Sequence, residues 1–210
     1  MAESEDRLAD MSQRANAKVD KFANRRLELA DAALTTLAEL GLARTSLRDI
    51  AKGADFSHGM LRHYFNDKND LILQCIRQYK SACVRRYDLV TELAVTQADF
   101  VDAFVGKLKE TLLLETKLHR LWYELRSQAL FDEVLREDVQ QIDQDLENMI
   151  WRIVERYAHL GGSRPKVTPA AFYAVVDGLF QSALARVISG DTQGAIDLED
   201  ELRKLLPIVA

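Results

Sequence analysis

Two cysteines, three prolines and nine glycines are all that 210 residues contain of those three types. Cys75 and Cys83 stand eight apart, in neither a CxxC nor a zinc-ligand spacing, so a disulfide scaffold is excluded and buried, reduced thiols are expected. With so little proline and glycine there are few places to turn the chain. Evenly spaced β-branched runs and Asn-Gly hairpin signals are missing as well. Histidine is sparse: His58, His63, His119 and His159 form no HExxH, no ExxH and no i, i+4 pair, and no glycine-rich phosphate loop occurs. Metal, cofactor and enzymatic chemistry are therefore not expected. The opening residues MAESEDRLADMSQR lack the apolar core of a signal peptide, and Asp177 interrupts the longest apolar run, so the reading is cytoplasmic with no membrane partner.

What is present is 48% apolar residues in a chain rich in Ala, Leu, Glu, Arg and Asp, enough to fill a core and consistent with an all-α fold. The net charge of −5 argues against nucleic-acid binding until its distribution is considered. From Arg14 to Lys68 there are ten Lys and Arg against seven Asp and Glu, a balance of +3. From Ser81 to Ala210 there are fifteen against twenty-one, a balance of −6. Only the N-terminal part is suited to face phosphates.

Residues 1–20 read as a flexible or partly helical arm, a solvated tail in preference to one whose Arg14, Lys18 and Lys21 approach DNA. From Phe22 to Leu40 the apolar residues Leu27, Ala30, Leu34 and Leu37 step by three and four toward Gly41, which predicts an amphipathic helix with a glycine C-cap. Ser46 and Asp49 have the spacing of a capping box, so a second, short helix should run to about Ala54. Ser57 is a good N-cap for a third through Tyr64, and Asp67 for a long fourth carrying Leu71, Ile72, Cys75, Ile76 and Tyr79. Further on, breaks are expected near Thr96 and Glu115. A helical stripe runs from Leu135 through Val139, Ile142, Leu146, Ile150 and Ile153 to Tyr157 and stops at Gly161. Thr168 and Pro169 suit the N-cap and first position of a helix to about 189. Its residues Phe172, Val175, Val176, Leu179, Phe180, Leu184, Val187 and Ile188 are too broadly apolar for one buried face. A last segment with Ile196, Leu202, Leu205 and Leu206 is expected to end before Pro207.

The stretch SLRDIAKGADFSHGMLRHYFNDKNDL, Ser46 to Leu71, resembles the DNA-binding motif of the TetR family of bacterial transcriptional regulators. Ser46, Ile50, Ala51, Ala54, Ser57, Gly59, Tyr64, Phe65, Lys68 and Leu71 carry that pattern in type and spacing. The resemblance implies a helix-turn-helix DNA-binding domain over residues 21–67 and a ligand-binding and dimerisation domain over 68–210. The residues themselves admit the same use. Ile50, Ala51, Leu61 and Phe65 point inward, leaving the third helix to present Ser57, His58, Arg62 and His63 to a major groove. Arg62 offers a bidentate donor to guanine, and Ser46, Arg48, Tyr64 and Lys68 are phosphate-positioning residues. Gly59 either lets the backbone approach DNA or fits a helix crossing. Two departures stand out: Asp55 occupies the usual turn glycine, where a left-handed conformation is required, and Arg62 replaces a common Tyr.

The family implies a homodimer through the last two helices, double-stranded operator DNA and a small-molecule effector, with repression as the default. For that effector the ligand-binding candidates are His119, Trp122, Tyr123, Arg126, Phe131, Trp151, Tyr173 and Asp177, polar-tipped or aromatic residues on apolar helices. HYFNDKNDL is also similar to the choline-responsive regulators of the betaine pathway, for which Trp122, Trp151 and Asp177 would form a cation cage. The rivals are a helical enzyme, which the histidine spacing disfavours, and a helical adaptor that keeps the fold without binding DNA. Tyr64, Lys68 and Arg62 together are what the adaptor would have no reason to present.

Overall fold

A computed structural model of the chain describes the backbone of residues 2–43 and 45–209, and side chains at 19–43, 45–89 and 92–209. The described residues form helices only: α1 (Ala2–Leu40), α2 (Leu47–Gly53), α3 (His58–Tyr64), α4 (Lys68–Glu92), α5 (Gln97–Leu114), α6 (Thr116–Ala129), α7 (Glu133–Leu160), α8 (Pro169–Ile188) and α9 (Gln193–Val209). They divide into two compact units, Met1–Gln78 and Tyr79–Ala210, with the division inside α4.

In the first unit helical backbone begins at Ala2, well before the Phe22 start that periodicity suggests. The segment carries no glycine or proline and is rich in residues that propagate a helix, which is why no break separates arm from helix. The side chains of Arg14 and Lys18 lie outside the described residues, and Lys21 is exposed. The buried stripe of α1 is Leu29, Ala30, Ala33 and Leu37, whereas Leu27 is 42% exposed. Two competing apolar stripes exist on α1, and the one chosen puts small residues where neighbouring helices cross. Ile50, Ala51, Leu61, Phe65, Leu71, Ile72, Cys75 and Ile76 complete this core. Gly41 closes α1 at φ 79°, where a side chain would be strained.

In the second unit the stripe from Leu135 to Tyr157 on α7 is buried throughout and packs against α6 and α8. Thr96 caps α5 by accepting from Asp99 N, and Thr168 caps α8 by accepting from Ala171 N, with Pro169 at the start of the helix. α8 lies against α9 and α7, burying Phe172, Val176, Phe180, Ala183 and Leu184. Lys109 to Glu199 at 2.9 Å and Arg203 to Asp102 tie α9 to α5. α9 continues through Pro207 to Val209, beyond the expected stop, and Val209 O accepts from Lys166 N at 2.8 Å. Among the described helices α8 alone is long and apolar enough, by length and composition, to cross a membrane. Asp177 does not lower its average enough to prevent that. Both thiols are free and buried.

Candidate nucleic-acid interface and effector cavity

The helix-turn-helix is set by caps. Ser46 Oγ accepts from Asp49 N at 3.2 Å while Asp49 Oδ2 accepts from Ser46 N at 2.9 Å, the reciprocal pair that satisfies two orphan amides. Donation from the Ser46 hydroxyl, and then from Ser46 N, to its carboxylate holds Asp49 below its ordinary value. At the turn Asp55 adopts φ 59°, the left-handed conformation expected where a glycine usually stands, and Phe56 N donates to Ala51 O at 2.8 Å. Ser57 Oγ then accepts from Met60 N at 3.0 Å to start α3. Gly53 has a packing reason the sequence hides. A Cβ there would lie 2.4 Å from Thr36 Cγ2, so the crossing of α2 over α1 requires its absence. Gly59 faces open space, with nothing within 4 Å, so no helix crossing inside the chain demands it.

The nine residues expected at DNA fall into two groups. Ser46, Arg48, Ser57, Gly59 and Arg62 are exposed, and Arg62 makes no hydrogen bond or ion pair among the described residues. His58 is half-buried at the N-terminus of α3. The other three are engaged within the unit. His63 and Tyr64 pack edge to face at 4.8 Å, and Tyr64 stacks on Phe22 of α1 at 4.8 Å. Lys68 Nζ donates to Leu42 O at 3.0 Å, satisfying a carbonyl just past the end of α1.

Arg26, which drew no attention in the sequence, holds this arrangement together. Its guanidinium lies 4.6 Å over the Phe65 ring, donates to Tyr64 O at the end of α3, and pairs with Asp70 at 2.6 Å. Asp70 also accepts from Asn66 N at 2.9 Å. Burial pushes the Asp70 carboxyl up, but the Arg26 and Asn66 bonds outweigh it and leave it below the ordinary value. An Arg 44 residues upstream of an Asp has no periodic signature.

The second unit contains a cavity of about 70 Å³. Its apolar wall includes Leu108, Leu146, Met149, Ile150, Val176 and Phe180. Of the eight residues expected there, His119, Trp122, Tyr123, Tyr173 and Asp177 line it. Arg126 stands just behind, pairing with Asp143 at 3.0 Å and with Asp177. Tyr123 OH donates to Asp177 at 2.8 Å and Tyr173 OH to Asp143 at 2.6 Å, so both carboxylates are fully engaged. Burial and these neighbouring carboxylates push both phenols above their ordinary range.

Two expectations are corrected. Phe131 is 89% exposed in the link between α6 and α7, too short to fold back over any wall. Trp151 is half-buried and lines no part of the cavity, so Trp122 and Asp177 lack the third side of the cage. Sequence reasoning also missed Lys80. It lines the cavity at 6% exposure, with Nζ 5.1 Å from the Trp122 ring centroid and 5.3 Å from that of Tyr79. Burial, with Lys80 as a nearby charge, keeps His119 well below its usual value and so neutral. A lysine among apolar helical positions looks like a solvated charge until the fold encloses it.

Residues 29–75 match the model of the family described as bacterial regulatory proteins, tetR family. The chain is 26% identical over 190 residues to the HTH-type transcriptional regulator BetI of Burkholderia thailandensis, covering 87% of this chain and 93% of that protein. It is 28% identical over 195 residues to the regulator of the same name from Burkholderia cenocepacia, with the same two coverages. A TetR transcription regulator from Haloarcula marismortui superimposes with a TM-score of 0.68 at 19% identity, over 89% of this chain and 98% of that one. The transcriptional regulator FadR from Bacillus subtilis, in complex with stearoyl-CoA, gives 0.67 at 18% identity, over 85% and 95%. At those identities the structural likeness concerns the fold. A capped helix-turn-helix followed by a helical unit, matched over nearly its whole length by such regulators, defines a helix-turn-helix transcriptional regulator. Residues 29–75 carry the match to the tetR family, and the sequence similarity of the chain as a whole leans toward the regulators named BetI.

Proposed function

We propose that the chain is a homodimeric repressor of the bacterial cytoplasm, which reads a near-palindromic operator in double-stranded DNA and is released by a small molecule entering the cavity of its second unit. The carrying observation is α3: Leu61 and the following Phe65 are buried, while Ser57, Gly59 and Arg62 are exposed and Arg62 has no partner in the described structure. An arginine presented this way donates to guanine N7 and O6, with His58 beside it for a base acceptor or phosphate. Ser46 and Arg48 at the start of α2 suit phosphates. Tyr64, Lys68 and His63 then act chiefly by holding α3 and the loop after α1, and approach the DNA backbone with the faces they leave free.

The dimer reading rests on α8. Its outward face, Ala171, Ala174, Val175, Gly178, Gln181, Ser182, Ala185 and Ile188, is exposed and carries no charge. An uncharged face of small residues along a helix lets a second copy approach closely, and two-fold symmetry makes the surface self-complementary. Gly178 has nothing within 4 Å, so Gly178→Arg leaves the protomer intact. Sedimentation should show a dimer in the parent chain and a monomer in this variant.

Selection from a random duplex pool, followed by titration of the recovered site at several salt concentrations, tests the whole reading. The expected result is a near-palindrome with half-sites roughly 34 to 36 Å apart and a log–log salt slope near −0.9 per displaced phosphate. A folded dimer that enriches no sequence would instead be the adaptor.

A further inference from the structure

The cavity of the second unit already holds an amine, and that amine belongs to the chain. Lys80 Nζ sits between the Trp122 and Tyr79 rings, 5.1 and 5.3 Å from their centroids, in the place a cationic ligand would take in an aromatic cage. Three carboxylates face this region, and each is committed elsewhere. Asp177 binds Arg126 and Tyr123, Asp143 binds Arg126 and Tyr173, and Glu115 binds Arg86 at 2.8 Å and Tyr79 OH at 2.8 Å. Lys80 itself has no hydrogen bond or ion pair among the described residues. An ammonium has three donors and no acceptor, and burying it without a counter-charge costs several kcal/mol. That burial drives its pKa down from the usual lysine value. His119, also on the wall, is neutral, and burial holds the phenols of Tyr87, Tyr123 and Tyr173 protonated, so none adds a competing charge.

We propose that the effector is a small monocarboxylate with an apolar body, its carboxylate paired with Lys80 and its hydrocarbon lying against Leu108, Met149, Ile150 and Val176. This deepens the repressor reading and rests on its having an effector site. One carboxylate gives the buried amine the counter-charge it lacks, so that it takes up a proton and pairs, whereas a dianion would leave a charge buried and unpaired. The volume of about 70 Å³ has room for roughly five water-sized groups, which suits a short-chain acid. A cationic ligand meets the opposite situation, because the aromatic faces are occupied by Lys80 and the carboxylates by Arg126.

The test is calorimetric titration of the full-length dimer, without DNA, with butyrate and hexanoate, the amides of equal chain length, and butylamine and hexylamine. Ionic strength is matched with sodium chloride. The carboxylates should bind about tenfold or more tighter than the amides, the gain of one charge-assisted hydrogen bond, and the amines weakest of all. Lys80→Met, which keeps the stem and removes a buried charge, should fold and lose the preference for carboxylate over amide. Amines binding as well as carboxylates, a preference that survives in Lys80→Met, or no carboxylate binding at millimolar concentration to the folded parent would each overturn the proposal. Operator binding by the ligand-free protein is measured apart from these titrations, so failure here leaves the repressor reading standing and failure there leaves this one.

Discussion

The two units use their polar side chains in different ways. In the helix-turn-helix unit polar side chains satisfy backbone: Ser46, Ser57 and Asp67 cap helices, Lys68 binds a carbonyl, and Arg26 reaches Tyr64 O. In the second unit polar side chains satisfy one another, through Arg126, Asp143, Asp177, Tyr123 and Tyr173, and leave Lys80 over. Capping acts over two or three residues and leaves a spacing in the chain. A side-chain network joins residues here 17 to 54 apart, leaves no fixed spacing, and can surround a cavity. The first arrangement fixes the shape of a surface, and the second fixes the charge of an interior.

The largest effect should come from breaking that interior network. Arg126→Met leaves Asp143 and Asp177 facing each other without their shared cation, and a loss of about 2 to 4 kcal/mol in the second unit is expected in denaturant titration. Arg62→Ala should cost about 1 to 3 kcal/mol in operator affinity and relax selection at one base pair per half-site, with melting unchanged. If both affinity and melting fall, Arg62 is structural and the exposed face of α3 has been misassigned. Asp70→Ala should destabilise the first unit by about 1 to 2 kcal/mol, since the pair with Arg26 is about one quarter exposed and screened accordingly.

Acid separates the units next. The pKa of His119 is lowered in the fold, so below about 6.5 the unfolded chain takes up a proton that the folded chain refuses. Its contribution is therefore full above pH 6.5 and is lost as pH falls, by up to about 1.4 kcal/mol per pH unit. Asp70, also lowered, contributes above its unfolded value of 3.8 and loses that contribution only below it. Native-state hydrogen exchange at pH 5.5 should show the second unit loosening first, and His119→Gln should remove the difference. The smallest effect is at Gly59. With open space around it, Gly59→Ala should raise stability by about 0.5 kcal/mol while weakening operator binding, because a methyl intrudes where DNA backbone passes.

How much of this was legible follows from the same contrast. The caps at Ser46, Ser57, Asp67, Thr96 and Thr168, the end of α1 at Gly41 and the left-handed turn at Asp55 were all readable, because each is decided within a few residues. Of the α1 stripe expected at Leu27, Ala30, Leu34 and Leu37, Ala30 and Leu37 are buried, joined by Leu29 and Ala33 in place of exposed Leu27 and half-buried Leu34. Helical period alone cannot choose between two stripes on a helix whose partners are unknown. Five of the eight ligand candidates line the cavity, since polar-tipped aromatics on apolar helices gather where helices diverge. Phe131 is not placed by sequence because a three-residue link looks like helix when only its composition is read. Lys80, Arg26 and the reason for Gly53 depend on what crosses them from far along the chain, and no local pattern carries that information.

The contact between Gly53 and Thr36 has a consequence for how such a sequence can drift. With Thr36 Cγ2 and Oγ1 at 2.4 and 2.9 Å from any Cβ at position 53, that position cannot gain a side chain while Thr36 stays. Gly53→Ala by itself should be rejected although it improves helix propensity, while the same change together with Thr36→Ala leaves a 3.3 Å contact with Cβ that a slight shift relieves. Across descendants of this chain a side chain at position 53 should therefore appear only after position 36 has become smaller, an order of change fixed by one crossing.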